Sequence, residues 1–438
     1  MLKKVNESPR TDVKIPLRDA KFPAPFASGL EYAAPARGTW NIVHVGMLIP
    51  EAHEIFVCAA GCLRGVVLTA AEMGASHRFS TVEVKEENLL NGDMEDLIID
   101  GVSDVLAKLP EMPPAVLVYT SCVHHFAGCD LDMVYRELRE RFPDVDFTDC
   151  YMNPIMRKSG LTPDQLMRKQ LYSLLKPCGK NPKAAAILGN DYAANENSEL
   201  VKLIRDADYT LYEIQNCATY EEYQKIAEAS VYITTYPSAK AGGDALAERL
   251  GGTHIHLPYT LDFDEIDRNL ARLAEVLEVP APDMTEKRRE CVKKLRETRE
   301  VIGEDITIDY TVCPRPLGLA RLLLDHEFSV TRIYADSFTA FDKPDFDILK
   351  ETWARESDLW IHPTVHASMR FHVSEVPCLA IGQKAAYFCG TEHFVNMVEG
   401  GGHWGYEAIL ALCDDMIDAN NHTKPMRELI AVKGMGCS

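Results

Sequence analysis

Short apolar runs alternate with amphipathic stretches along most of the chain. The stretches DLDMVYRELRERF, SELVKLIRDA, YEEYQKIAEA, GDALAERLG and LGLARLLLDHE have the apolar spacing of helices. Strands that alternate with helices of about 10–15 residues predict parallel sheets with right-handed crossovers. Because the strands are too many for one sheet, we expect stacked doubly wound α/β domains. The runs predict strands at Ala115–Thr120, Val145–Asp149, Ala184–Leu188, Thr210–Glu213, Val231–Thr235, His254–Leu257, Ile306–Thr311, Val330–Tyr334, Leu359–His362 and Cys378–Ile381.

Two segments interrupt this alternation and suggest how the chain is divided. The first 40 residues contain the Pro-rich stretch KFPAPFASGLEYAAPARG, which we expect to wrap the surface or line an interface. A highly charged segment, DEIDRNLARLAEVLEV followed by DMTEKRRECVKKLRETREVIGE, predicts a pair of linker helices. The predicted division is a lead at 1–40, a first domain at 41–170, a second at 171–265, a helical linker at 266–304 and a third domain at 305–438.

Composition limits the classes of partner and location. The 438 residues carry a formal net charge of -20, which argues against nucleic acid because phosphate backbones require basic surfaces. No run of about 18 uninterrupted apolar residues is present, so we expect no membrane span. The start of the chain lacks the apolar core of a secretory signal, and a cytoplasmic location is expected. In that setting, 13 cysteines are interpreted as metal ligands and small buried hydrophobes, not as disulfides.

Four cysteines stand out in the first third of the chain. Cys58 and Cys62 lie in VCAAGCLRG, where Cys62 ends a predicted strand-to-turn element, and Cys122 and Cys129 lie in VYTSCVHHFAGCD, after the apolar strand AVLVYTS. Thiolates at strand ends, in turns rich in small residues, are typical ligands of iron–sulfur clusters. These four residues are therefore our candidate metal ligands.

Other chemistries for these cysteines have less support. The spacing from Cys58 to Cys62 is not that of a zinc ribbon, and no second close pair of cysteines or histidines completes a tetrahedral site. A nucleophilic cysteine would need a base. His124 and His125, beside Cys122, are candidates for that role.

Longer blocks of sequence resemble the nitrogenase component 1 type oxidoreductase family. They are LIPEAHEIFVCAAGCLRG, STVEVKEENLLNGDMEDLIIDGVSDVL, VLVYTSCVHHFAGCDLDMVYREL and the C-terminal GHWGYEAILALCDDM, in the family's order. The resemblance covers roughly residues 25–420. It implies an α/β fold of three stacked Rossmann-like domains with doubly wound parallel sheets.

The resemblance also implies an iron–sulfur cluster at a subunit interface, either 4Fe-4S or a larger P-cluster-like group. Cys62 and Cys122 match two of the three cysteines that each family subunit contributes. In the stretch that matches the third, SGLEYAAPARG, Leu30 takes the cysteine's place. Cys58 is a candidate substitute, and Cys129, which replaces an aspartate of the family pattern, is another. Alternatively, Cys58 is a buried residue on an apolar face.

The family's large cofactor site looks altered in this chain. Tyr236, in VYITTYPSAKAGGDALAERLGG, takes the place of the cysteine that would hold the molybdenum–iron cofactor, and His403 or Trp404 takes the place of its histidine. That cofactor is not expected to bind in its usual way, so the resemblance does not imply a conventional molybdenum nitrogenase. We predict instead that His362, His366 and His403 converge with Tyr236 and donate protons to a substrate.

The resemblance implies two protein partners and leaves three functions open. The partners are a homologous or identical component 1 subunit and an ATP-hydrolysing iron protein that delivers electrons. The favoured function is a subunit of a nitrogenase-like reductase that reduces a small or tetrapyrrole-like substrate. The alternatives are a scaffold for the assembly of a metallocluster or cofactor, and a cluster-free α/β binding protein.

Overall fold

The computed structural model describes residues 13–27, 29, 31, 32, 34, 36, 38–153, 160–353, 359–371 and 376–431. Its α/β fold contains three sheets flanked by helices, which confirms the predicted fold class. The strands are β1 (Ile15–Pro16), β2 (His53–Cys58), β3 (Phe79–Glu83), β4 (Ala115–Ser121), β5 (Asp146–Met152), β6 (Asn181–Leu188), β7 (Thr210–Glu213), β8 (Ala229–Thr234), β9 (Thr253–His256), β10 (Ile306–Asp309), β11 (Val330–Tyr334), β12 (Trp360–His362), β13 (Leu379–Ile381) and β14 (Phe394–Val395).

Helices follow most of these strands and form the crossovers. They are α1 (Ile42–Gly46), α2 (Ala60–Glu72), α3 (Glu86–Asn91), α4 (Met94–Lys108), α5 (Cys122–Ala127), α6 (Leu131–Arg141), α7 (Pro163–Gln170), α8 (Glu199–Asp206), α9 (Tyr220–Gln224), α10 (Lys240–Leu250), α11 (Phe263–Val276), α12 (Thr285–Val301), α13 (Pro316–Asp325), α14 (Lys343–Ile348), α15 (Gln383–Cys389), α16 (Gly405–Asn421) and α17 (Met426–Ala431). Within the described ranges, no helix is long and apolar enough to cross a membrane.

The first two sheets are wholly parallel, with strand orders β3-β2-β4-β5 and β7-β6-β8-β9. Every residue of β2 and β4 is buried, as expected for parallel strands covered on both faces. Alternate residues of β2 enter different cores, because Ile55 and Val57 pack on one face and Phe56 and Cys58 on the other. This alternation determines which way each strand-end side chain points.

The third sheet has the order β1-β12-β11-β10-β13-β14 and is parallel except for β1. Ile15 and Pro16, from the lead that we expected to wrap the surface, pair antiparallel with β12, and Leu17 is fully buried. An uncovered strand edge is open to unwanted pairing, and β1 covers the edge of β12. A proline at such an edge costs little, because its missing N–H faces away from the ladder.

The two charged helices of the predicted linker form as α11 and α12. Their buried residues include Leu270 and Leu273 on α11 and Leu295 on α12, and α12 packs along α16. The helical content of this segment is therefore confirmed, whereas the domain boundaries that we drew from it stay a prediction.

Candidate functional site

Two of the candidate cysteines begin helices at the same edge of the first sheet. Cys58 is the last residue of β2, and Cys62 lies in the first turn of α2. Cys122 is the first residue of α5, directly after β4. Because β2 and β4 are parallel neighbours, with Val57 opposite Thr120, both helices begin at the carboxyl edge of the sheet.

The three sulfurs at this edge differ in exposure. Cys62 is exposed, Cys122 is half-buried and Cys58 is fully buried in the apolar core. Burial raises the pKa of Cys58 to about 12, with smaller contributions from the neighbouring Cys62 and Cys122. These three cysteines are thus close enough to interact electrostatically. The burial of Cys58 favours its interpretation as a core residue over that of a substitute ligand.

Cys129 lies apart from them. It follows Gly128, the left-handed residue that ends α5, and packs against the core on the opposite face of the sheet from Cys58. Burial, followed by the charge of Glu95, raises the pKa of the Cys129 thiol. The structure therefore places three of the four candidate ligands at one sheet edge, with Cys129 on another side of the sheet.

The donor set of one chain fits part of a shared iron–sulfur site. Among the residues that the structure describes, no three His, Cys, Asp or Glu side chains form a group that could hold a single metal ion. Cys62 and Cys122 offer accessible thiols at helix N-termini, where free N–H groups favour negative charge. Leu30, at the position of the family's third cysteine, lies outside the described residues.

Apolar side chains project into solvent from the helices at this edge. Leu90 is 86% exposed on α3 and Phe126 is 70% exposed on α5, and Val67, Leu68 and Leu89 are exposed on α2 and α3. We call these five residues the apolar rim. Large apolar side chains exposed on several helices of one sheet edge make this edge a candidate protein–protein contact surface.

His124 has a structural role beside Cys122. Its Nδ1 accepts a hydrogen bond from the backbone N–H of Ser121 at 3.1 Å, which caps α5, and burial lowers its pKa. This contact occupies one ring nitrogen, which weakens the alternative in which His124 is the base of a nucleophilic cysteine.

The carboxyl edges of the three sheets meet around two adjoining cavities. The tyrosine cavity, of about 390 Å³, is lined by Tyr236 and Tyr310, which follow β8 and β10. The tryptophan cavity, of about 510 Å³, is lined by Trp40 and by Asn153, which follows β5. Ligands of doubly wound sheets bind beyond the carboxyl ends of the strands, and these volumes suit small-molecule sites. Both cavities share Thr39, Asp164, Ser238 and Glu399.

A third cavity connects the cysteine edge to this space. The cysteine cavity, of about 500 Å³, is lined by Cys62 and by His44 of α1. It shares Thr39, Asn41, Ile42 and Met152 with the tryptophan cavity. The exposed thiol of Cys62 and the tryptophan cavity therefore lie on either side of one common wall.

One buried cation, Arg168, and two acidic residues line the tryptophan cavity, and a third acid, Asp191, pairs with that cation. The Arg168 guanidinium lies 2.8 Å from Asp191 and 3.1 Å from Asp164, and it also donates to the carbonyl of Gly189. Burial lowers the pKa of Arg168, but the two carboxylates outweigh this effect and raise it. The remaining acid, Glu399, makes no hydrogen bond through its carboxyl group to another described residue.

Tyr236 lies in the cavity wall, but its hydroxyl is already engaged. It donates to the backbone carbonyl of Glu399, and its ring lies 5.4 Å from the Arg168 guanidinium. Burial raises the pKa of Tyr236 well above its usual value. A neutral phenol bound to a carbonyl does not provide the thiolate that the molybdenum–iron cofactor would need, so the residues here do not fit that group in its usual ligation.

The three candidate histidines are not among the residues that line the described cavities. His362 packs 5.1 Å from the ring of Tyr334 at the end of β12, and His366 pairs with the hydroxyl of Ser368 at 2.7 Å. His403 bonds to Glu407 at 2.7 Å, and this hydrogen bond raises its pKa. The structure places these imidazoles in separate local contacts, and their action on a substrate stays a prediction.

Sequence reasoning missed Asp164, Arg168 and Glu399. The first two carry a weak signal, since Thr162 and Pro163 mark a capped helix start that places one acid and one base four residues apart. Glu399 precedes three glycines, which indicates only a turn. Its exposure to the cavities depends on contacts with distant parts of the chain.

Comparisons with known proteins identify the family and agree with the fold. A family model described as nitrogenase component 1 type oxidoreductase matches residues 43–420. Among solved structures, "Nitrogenase Cp1 at pH 6.5" is similar with a TM-score of 0.67 and 13% identity, over 95% of this chain and 96% of that chain. "Nitrogenase Cp1 at pH 5" gives a TM-score of 0.57 and 12% identity, over 90% of each chain. Comparison with curated proteins gives no match.

Proposed function

This chain belongs to the nitrogenase component 1 type oxidoreductases, and we propose that it is one subunit of a reductase that receives its electrons through an iron–sulfur cluster. The substrate is a small or tetrapyrrole-like organic molecule held between the three sheets. The observation that carries this proposal is the wall shared by the cysteine cavity and the tryptophan cavity. It lies between the accessible Cys62 thiol and a space of small-molecule size.

The chain's own residues would divide the work between the two sides of that wall. Cys62 and Cys122 hold the cluster at the sheet edge, and the cluster, when bound, supplies one-electron transfer at low potential. On the other side, Arg168 and its two carboxylates fix the charge of the cavity, and Trp40 and Tyr236 provide aromatic surface for an organic substrate.

A second component 1 subunit, identical or homologous, completes the cluster site. Two accessible thiols are too few for a four-iron cluster, which takes four cysteine ligands. A partner that covers the apolar rim would bring its own thiols to the same edge and shield Leu90 and Phe126 from water. The electron donor is an ATP-hydrolysing iron protein.

Anaerobic electron transfer from a cognate iron protein tests this proposal. The reconstituted protein is mixed with reduced iron protein and MgATP, and cluster reduction is followed by electron paramagnetic resonance. We expect reduction that requires ATP hydrolysis and continues over many turnovers once a reducible substrate is added. A variant with Cys62→Ala should lose the signal, whereas Cys178→Ala, which removes another exposed thiol, should keep it.

Two outcomes would contradict the proposal in different ways. Transfer of an intact cluster to an acceptor protein, without substrate turnover, would identify an assembly scaffold. Failure to retain iron after reconstitution would identify a cluster-free binding protein.

A further inference from the structure

The loop that carries Glu399 has an unusual backbone. Glu399 and the three glycines after it, Gly400, Gly401 and Gly402, all have positive φ, at 50°, 75°, 57° and 84°. Glycine adopts this left-handed region freely, but a side chain with a Cβ is strained there. Strained residues persist where the surrounding structure holds them, and they concentrate at functional sites.

Contacts from two sheets hold this loop in place. The N–H of Glu399 donates to the carbonyl of Thr311 at 2.8 Å, and the N–H of Gly400 donates to the carbonyl of Val312 at 2.7 Å. On the other side, Tyr236 donates its hydroxyl to the Glu399 carbonyl, and Asn195 donates its N–H to Gly402 at 2.9 Å. The chain therefore fixes a strained glutamate at the junction of its second and third sheets.

Glu399 lines both the tyrosine cavity and the tryptophan cavity. Asp191 and Asp164 face it together with Arg168, which is already paired with both of those carboxylates. Burial, and then the charge of Asp191, raise the pKa of Glu399 well above its usual value, against the opposing effect of Arg168. The raised pKa favours the protonated form of this carboxyl group, which makes no hydrogen bond to another described residue.

We propose that Glu399 is the catalytic acid that protonates the substrate in these cavities. The inference rests on the proposed reductase function. A two-electron reduction of a conjugated C=C or C=N bond takes two electrons from the iron protein and two protons. The O–H bond of Glu399 breaks and a C–H or N–H bond forms on the substrate, while solvent provides the second proton and then reprotonates the carboxylate.

The surroundings suit this role before and after transfer. The neutral acid avoids repulsion from Asp191 while the substrate binds. After the proton is transferred, the new carboxylate lies near the positive charge of Arg168. This charge lowers the free energy of the ionised form until solvent reprotonates it.

Asp342 is the competing acid in the tyrosine cavity. Its Oδ2 accepts from the N–H of Thr339 at 3.0 Å and from the Thr339 hydroxyl at 2.8 Å, which caps the following turn. Its Oδ1 is buried without a partner. Unlike Glu399, it lines only one of the two cavities.

Glu399→Gln and Glu399→Gly test the assignment against Glu278→Gly. Glu278 has φ 57° but is exposed at the end of α11 and lines none of the described cavities, so it is a matched control for backbone strain. Glycine at either position relieves the strain, and we expect both glycine variants to melt at or above the temperature of the native protein. Glu278→Gly should keep full activity. Glu399→Gln and Glu399→Gly should lose about 100-fold or more of substrate reduction while cluster reduction is unchanged.

A second readout does not depend on turnover. In protein labelled with ¹³C at the glutamate carboxyl carbons, nuclear magnetic resonance near pH 7.5 should show a protonated carboxyl signal that is lost in Glu399→Gln. Burial also raises the pKa of Glu54 and Glu213, so the signals of those two residues are assigned by Glu54→Gln and Glu213→Gln. Absence of that signal would overturn the inference, as would Glu399→Gln with more than a third of native activity, or loss of activity in Asp342→Asn alone. If the native protein reduces no substrate but the signal is present, the reductase proposal fails and the protonated Glu399 stands.

Discussion

Replacing Arg168 with methionine removes the cation that pairs with Asp164, which lines the tryptophan cavity, and with the buried Asp191. The Arg168 side chain is 4% exposed and that of Asp191 is 0% exposed, so this pair is a buried one. Removing one partner of a buried pair costs about 3–5 kcal/mol, because the other charge loses its compensation. Asp164 is 43% exposed and its contact adds about 0–1 kcal/mol, while loss of the bond to the Gly189 carbonyl adds roughly 1 kcal/mol.

We therefore expect Arg168→Met to lower the free energy of unfolding by about 4–7 kcal/mol. Adding Asp191→Asn removes the uncompensated charge, and the double variant should recover most of that loss. The assay is urea unfolding of the two single variants, the double variant and the native protein, followed by far-ultraviolet circular dichroism. This double-mutant cycle should give a coupling energy of about 2–4 kcal/mol. A coupling energy below about 0.5 kcal/mol would refute the ion pair as the source of stability in this wall.

Two further predictions concern pH and assembly. Burial raises the pKa of Glu213 from 4.5 to about 7, so the folded state binds more protons than the unfolded state and stability should fall by about 3 kcal/mol as pH rises from about 4.5 to about 7. In urea titrations at several pH values, Glu213→Gln should remove this decrease of the free energy of unfolding with rising pH. An unchanged decrease in the variant would contradict Glu213 as its source. Leu90→Asp and Phe126→Asp should each weaken assembly through the apolar rim, as measured by light scattering after size-exclusion chromatography. Met112→Asp, which alters another exposed apolar residue on the opposite edge of the first sheet, should not, and equal effects of all three would count against the rim as an interface.

Local pattern was sufficient to predict much of the fold. All ten strands named from apolar runs are present, and Thr210–Glu213 and Val330–Tyr334 have the predicted ends. The strand β1 could not be predicted, because Ile15 and Pro16 carry no pattern of their own and become a strand only by covering the edge of β12. A tertiary contact, the pairing with β12, therefore forms this strand where the local sequence pattern does not predict one.

The candidate site likewise has a part that the sequence predicts and a part that it does not. The approach of Cys62 and Cys122 follows from strand order, since both begin helices after neighbouring parallel strands. The burial of Cys58 could have been inferred from alternation along β2, which places it on the same face as Phe56. Glu399 could not have been found, because its orientation depends on hydrogen bonds from distant residues.

Iron and sulfide analysis after anaerobic reconstitution measures directly whether Cys62 and Cys122 bind an iron–sulfur cluster. We expect at least about two irons per chain in the native protein and in Cys178→Ala, with loss of both iron and the brown chromophore in Cys62→Ala and in Cys122→Ala. If Cys58→Ala keeps its iron, the third thiolate comes from elsewhere, in accord with the burial of Cys58. Native iron content in both Cys62→Ala and Cys122→Ala would contradict the claim that these thiols bind the cluster through which the electrons enter.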